Sequence, residues 1–197
     1  MLKRLQKTIF AFTLSKRRFK ERRFFTFCEV FMVEEHRFCL ILDRLRSAHN
    51  TGNIFRIAEA VGACEIIACG YTPAPPHPKL EKTAMGTDKL IPCRVFKTSA
   101  EAILQLRKEG YQMILAAEPG DEADFAWKRS YRFPLAVVLG NEALGVSEEA
   151  LSLCDGRVSL PMAGSKASIN VGNAAAAIAY AIVSVTGGVF NKGERPC

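Results

Sequence analysis

The 197-residue sequence contains no Gly-x-Gly-x-x-Gly run and no Walker-type loop, which weakens any reading as a nicotinamide- or nucleoside-triphosphate-binding protein. Its seven cysteines, at 28, 39, 64, 69, 93, 154 and 197, form no Cys-x-x-Cys pair, and its three histidines are scattered. A zinc site is therefore not expected, and reduced thiols in a cytoplasmic protein are the more natural reading. No apolar stretch reaches membrane-spanning length without a charge or a glycine, so a soluble protein is expected. Internal repeats and low-complexity segments are also missing. At 49% hydrophobic content, with no break in composition, the chain can bury one sizeable core.

Charge is distributed unevenly. Residues 1–31 hold nine Lys or Arg against Glu21 and Glu29, an excess of seven that equals the net charge of the whole chain. The remainder is neutral, with 18 residues of each sign. Phenylalanines at 10, 12, 19, 24 and 25 interleave the basic residues. Such a tail can track phosphates and stack on bases. It also has the look of an organellar transit peptide, though short of serine. A third reading starts the protein at Met32.

Beyond the tail, apolar runs alternate with helical patterns. Strands are expected at Phe38 to Leu42, Glu65 to Cys69, Pro92 to Phe96, Gln112 to Ala116, Leu135 to Leu139 and Arg157 to Leu160. Helices are expected at Thr51 to Val61, Lys79 to Met85, Ser99 to Lys108, Ser147 to Leu153 and Asn173 to Val185. Apolar strands separated by helices predict an α/β fold, a mostly parallel sheet with helices on both faces. Gly70 to Pro78 is a loop with four prolines in which Tyr71 and His77 are candidates for substrate contact. Surface punctuation is the plainer account of His77.

Three segments carry more than packing. Asn50-Thr51-Gly52-Asn53-Ile54-Phe55-Arg56 follows the first strand. Asn and Gly there are ordinary turn residues, and Arg56 has the plain reading of a solvated arginine. Leu139-Gly140-Asn141-Glu142-Ala143-Leu144-Gly145-Val146-Ser147 puts a glutamate between glycines at a strand end, where open α/β folds contact ligands. Leu160-Pro161-Met162 leads through a small-residue loop to Ser168-Ile169-Asn170 at the mouth of the last helix. That Ser-x-Asn is either a helix cap or part of a pocket of amides and short polar groups.

In this order and at these spacings, the segments resemble the three motifs of the SpoU (TrmH-type) RNA ribose methyltransferases of the SPOUT superfamily, over Phe38 to Val185. The resemblance implies a SPOUT domain over residues 36–190, with the last helix threaded through a loop into a deep trefoil knot and forming much of a homodimer interface. It implies transfer of a methyl group from S-adenosylmethionine to a ribose 2′-hydroxyl of tRNA or rRNA, without a metal. The donor would be contacted at Ala116, Ala117, Gly140, Leu160 and Met162, with Ser168 and Ile169 close by. Catalysis is placed on Arg56, with Asn50 fixing the approach of RNA, Glu142 and Asn170 orienting loop and hydroxyl, and Ser168 bridging donor and substrate. A guanidinium stays protonated far above neutral pH, so Arg56 is better suited to holding a phosphate than to removing a proton. Two other classes stay open: a catalytically silent RNA-binding relative, and an unrelated α/β enzyme or flavodoxin-like binder using the same strand-end crevice.

The tail separates from the motifs in a testable way. A chain starting at Met32 is expected to bind RNA with the affinity and salt dependence of the full chain. If residues 1–31 form an RNA arm instead, each lost phosphate contact flattens the log–log salt slope by roughly 0.7 to 0.9.

Overall fold

Phe38-Cys39-Leu40-Ile41-Leu42 carries no charged residue, and a strand apolar on both sides must be covered on both faces. In the computed structural model, which describes residues 36–185, the chain runs β1 (Phe38–Asp43), α1 (Ala48–Val61), β2 (Glu65–Cys69), α2 (Pro78–Ala84), β3 (Cys93–Phe96), α3 (Ser99–Lys108) and β4 (Met113–Ala117). It continues through β5 (Leu135–Leu139), α4 (Glu148–Leu151), β6 (Gly156–Val158) and α5 (Val171–Val185). All six strands pair in parallel in the order β3-β2-β1-β5-β4-β6. The basic tail lies outside the described residues, as do residues 186–190 of the expected domain.

Alternation along the strands divides the core into two layers. Phe38, Leu40 and Leu42 of β1, with Leu135, Val137 and Leu139 of β5, pack against α1, α2 and α5. Cys39 and Ile41, with Ala136 and Val138, pack on the other face against α3 and the Ala150 turn of α4. Helices therefore cover both faces, as expected. The five described cysteines are free thiols. Burial pushes Cys69 up to about 12 and Cys93 and Cys154 to about 11, so these thiols stay protonated at neutral pH.

Several boundaries differ from expectation, for local reasons. Ser47 accepts a hydrogen bond from the amide of Asn50 at 3.2 Å and starts α1 at Ala48, so Asn50 lies inside the first helical turn and not in a loop. Asn170 accepts from the amide of Gly172 at 2.9 Å and starts α5 at Val171, ahead of Asn173. β6 ends at Val158, before the expected Leu160. There the chain leaves β4, and Ser159 instead bridges the 124–126 segment, donating to the carbonyl of Asp124 at 2.9 Å and accepting from the amide of Ala126 at 3.0 Å.

Gly52 is likewise no turn residue. It lies buried on α1, where an added Cβ would come within 2.6 Å of the Leu80 carbonyl oxygen and 2.0 Å of Thr83 Oγ1 of α2. Contact this close presses α2 directly on the helix that carries Asn50 and Arg56.

Gly52→Ala sets a helix-propensity gain of about 1 kcal/mol against an overpacking cost of about 1 to 3 kcal/mol. Because a backbone carbonyl forms part of the obstruction, net destabilisation is expected. Adding Thr83→Ala should restore only part of the loss, as read from denaturant midpoints of the single and double variants.

Candidate active site

β1 and β5 are neighbours whose onward connections lead to opposite sides of the sheet, and a crevice opens at the carboxyl ends of such a pair. The loop after β5 fills one wall of it and is closed on itself. Asn141 and Gly145 exchange backbone hydrogen bonds at 2.9 Å in both directions. The Asn141 side chain, buried, accepts from the amides of Ala143 at 2.9 Å and Leu144 at 3.0 Å, and donates to the carbonyl of Arg44 at 2.6 Å. Two carboxylates anchor the loop from outside. Asp43, only 1% exposed at the end of β1, accepts from the amide of Ser147 and from Ser99 Oγ, each at 2.7 Å. Glu118 accepts from the amide of Val146 at 2.6 Å.

This closure also gives Gly140 a reason within the fold. A Cβ on Gly140 would come within 2.3 Å of Gly145 C and Val146 N, so glycine is required for the loop to fold back on itself.

Against this wall lies a directed chain of hydrogen bonds that joins the three sequence segments. The amide of Gly172 donates to Asn170 Oδ1 at 2.9 Å, and Asn170 Nδ2 donates to Asn50 Oδ1 at 3.2 Å. Asn50 Nδ2 then donates to Glu142 Oε1 at 2.9 Å, while Glu142 Oε2 accepts from the amide of Arg46 at 3.1 Å. The order of donors fixes the orientation of both side-chain amides. Partial burial alone would raise the Glu142 carboxyl, but the hydrogen bonds from Arg46 and Asn50 outweigh it and hold the group below its ordinary value. Glu142 is therefore a carboxylate at neutral pH, an acceptor and a weak base. Asn170 caps the last helix with one end of its amide and orients Asn50 with the other, so the cap and the pocket are the same residue.

Glu142 and Asn170 also border a cleft of about 500 Å³ formed by the ends of β4, β5 and β6, the 159–170 segment and α5. Ala117, Gly140, Leu160, Met162, Ser168 and Ile169 all line it. Ala116 does not: its buried side chain belongs to the layer beneath α3, and its carbonyl accepts from the amide of Glu118 at 3.0 Å. Arg56 also lies away from the cleft lining. It is exposed on α1, about 9 Å of helical rise beyond Asn50, one turn beyond Gly52, with no ion-pair partner among the described residues.

Sequence reasoning passed over Asp43, Glu118 and Asn141, which hold the β5 loop, and Ser159. Asn141 stood inside a quoted motif, and a carboxylate ending an otherwise apolar strand was a usable signal for Asp43. Ser159 Oγ is buried beside the cleft with no partner among the described residues. His77 has the plain role: it caps α2, its Nδ1 accepting from the amide of Leu80 at 3.4 Å. Among the described residues no cluster of His, Cys, Asp or Glu is arranged to hold a metal.

The profile of the SpoU rRNA methylase family matches residues 37–180. The chain is 36% identical over 141 residues to a tRNA (guanosine(18)-2′-O)-methyltransferase of Thermus thermophilus, an alignment covering 72% of this chain and 71% of the relative. It is 33% identical over 156 residues to a 23S rRNA (uridine(2479)-2′-O)-methyltransferase of Streptomyces viridochromogenes, covering 77% of this chain and 54% of that one. A solved structure of the SpoU methyltransferase AviRb from Streptomyces viridochromogenes, in complex with the cofactor AdoMet, superimposes with a TM-score of 0.67 and 31% identity. That match covers 77% of this chain and 58% of the other.

The lowered pKa of Glu142 fixes a pH signature. A carboxyl depressed in the folded state stabilises it at and above its ordinary value of 4.5, and loses that contribution as pH falls through the folded value. Glu142→Gln cannot titrate. Its stability deficit relative to the parent protein is therefore expected to be constant from about pH 7 to about pH 5 and to shrink on further acidification, as followed by urea denaturation across that range.

Proposed function

The chain belongs to the SpoU rRNA methylase family, and from that membership and the site together we propose the division of labour by which it methylates RNA. The protein is an S-adenosylmethionine-dependent RNA ribose-2′-O-methyltransferase. One observation carries the assignment of roles: the Gly172–Asn170–Asn50–Glu142 chain stands at the rim of the cleft lined by the donor-site residues.

The cleft suits the donor. Leu160, Met162 and Ile169 offer an apolar wall, and Ala117 and Gly140 bring main chain to the surface without bulk. Glu118 lines the cleft and spends one oxygen on the Val146 amide, leaving the second for a ligand hydroxyl. Ser159 supplies an unpartnered buried hydroxyl beside it. When bound, the donor supplies a methyl group carried on a positive sulfonium. The carboxylates of Glu118 and Glu142 line the same cleft and would set negative charge around such a group.

On the substrate side, Asn50 and Asn170 are held by each other and by Glu142, so their remaining amide hydrogens and lone pairs can position a ribose hydroxyl without reorganising. Ser168, exposed in the cleft lining, can bridge donor and acceptor. Glu142, held ionised with one oxygen on Asn50 Nδ2 and the other on the Arg46 amide, is engaged in orienting its neighbours. Arg56, exposed on the adjoining helix, binds the phosphate next to the acceptor ribose, and that phosphate or a water receives the proton. The full set of Asn50, Arg56, Glu142, Ser168 and Asn170 argues against a catalytically silent relative.

We further infer a trefoil knot, a homodimer and a cytoplasmic protein. Support for the knot comes from the chain path: from edge strand β6 it bridges the 124–126 segment and then returns to pack α5 on the layer containing α1. Support for the dimer comes from Val185 of α5 and Ile169 before it, apolar residues that stay exposed. No described helix is long and apolar enough to cross a membrane, and the described thiols are unpaired. Whether tRNA or rRNA is the substrate is a matter for mapping 2′-O-methyl marks in a deletion strain.

Arg56→Ala is expected to abolish methyl transfer from labelled donor while leaving donor affinity, by calorimetry, within a few-fold of the parent. Ser168→Ala should show the reverse emphasis, weakening the donor by a hydrogen bond of about 1 kcal/mol. Equal loss of donor binding in Arg56→Ala would give that residue a structural role instead.

A further inference from the structure

Tyr71 is held in place at both ends yet leaves its ring in solvent. It follows β2 at the carboxyl edge of the sheet, and the residue is 58% exposed. Its hydroxyl oxygen accepts from Asn141 Nδ2 at 3.0 Å, the same side chain that folds the β5 loop. The next residue, Thr72, is buried and fixes the backbone: Thr72 Oγ1 donates to the Leu42 carbonyl and accepts from the Leu45 amide, both at 2.9 Å. A ring fixed by its tip and by its own backbone gives up little side-chain freedom on stacking, and no fold requirement explains leaving it uncovered.

The 44–46 turn, tied to Tyr71 and Thr72 through Asn141 and the Leu45 amide, carries two arginines. The amide of Arg46 is held by Glu142, but its exposed guanidinium has no carboxylate partner among the described residues. Arg44 lays its aliphatic stem over the α-carbon of Gly70, the residue before Tyr71, with its Nε 3.2 Å from Asp43 Oδ1. These residues come from the ends of β1 and β2, whereas the donor cleft is built from the ends of β4, β5 and β6. Asn141 and Glu142 stand between the two regions and contact both.

We propose that Tyr71 is a stacking platform for an unpaired nucleobase of the substrate RNA flanking the methylated ribose, with Arg46 on the intervening phosphate. The inference rests on the RNA methyltransferase reading and adds to it a base-binding subsite. An aromatic face and an exposed guanidinium on segments tied together by Asn141 and Thr72 match the alternation of base and phosphate along a single strand, and stacking tolerates any base. The platform therefore sets register and affinity, and Asn141 couples it to the loop that presents Glu142 to the acceptor hydroxyl.

The test uses the full chain, donor binding by calorimetry, and a single-stranded RNA oligonucleotide carrying 2-aminopurine, whose fluorescence is quenched by stacking. Quenching is expected on binding to the parent protein and to Tyr71→Phe. Tyr71→Leu should abolish it and weaken RNA binding about tenfold, in keeping with loss of one base–aromatic stack. Donor affinity should be unchanged in both variants, which shows that they fold. Arg46→Ala should preserve the quench and flatten the salt slope by about 0.7. Quenching and affinity in Tyr71→Leu equal to the parent would overturn the platform alone, leaving the methyltransferase reading intact. A parent protein that binds donor but no RNA would overturn both.

Discussion

The site depends on the loop between β5 and α4 being folded back on itself and bolted to its neighbours. Gly140 has no room for a Cβ, the Asn141 side chain satisfies two loop amides, and Asp43 and Glu118 hold the amides of Ser147 and Val146. A strand-end loop usually carries unpaired backbone groups and moves accordingly. Here most of those groups are used, so Glu142 is presented from a rigid support. Preorganisation of this kind removes the cost of ordering polar groups at the moment of reaction.

From that support the rest of the arrangement follows by hydrogen-bond direction. Because the chain of amides ends on a carboxylate, every dipole in it points the same way, and each asparagine has its orientation set by the one before. The hydrogen bonds that keep Glu142 ionised also occupy its two oxygens, with Asn50 on one and the Arg46 amide on the other. Glu118 and Glu142 line the cleft, while Arg44, Arg46 and Arg56 lie on α1 and the turn before it. A body with equal numbers of charges of each sign can in this way hold a cationic donor and a polyanionic acceptor side by side.

Much of the fold was legible. Strands apolar on both sides announced a buried parallel sheet, and all of the expected strands and helices are present, with ends moved by a few residues. The shifts came from capping: Ser47 and Asn170 start their helices earlier than apolar periodicity marks them, because a cap is set by one side-chain hydrogen bond and not by a pattern. For Asn170 the two readings offered by the sequence, cap and pocket residue, both hold. Gly52 and Gly140 were visible as motif glycines, but their reason was not. Each is small because another backbone approaches it, and the approaching segments lie elsewhere in the chain, as Leu80 does for Gly52, or at the far side of a closed loop, as Gly145 does for Gly140.

The sequence by itself determined the sheet, its two covering layers and the three segments that carry the chemistry, since periodicity and short motifs are local properties of the chain. Only the tertiary structure decided which residues meet. Asn50, Glu142 and Asn170 are separated by up to 120 positions and are joined by hydrogen bonds of about 3 Å, whereas Arg56, six positions from Asn50, falls outside their network. Ala116 and Ala117 are adjacent in sequence, yet the pleat of β4 sends one into the layer under α3 and the other to the cleft. Asp43, Glu118 and Tyr71 acquired their places from partners in other strand-end loops. Hydrogen-bond geometry acts through space at a range of one atom, and sequence separation carries no information about it until the sheet has brought the strand ends together.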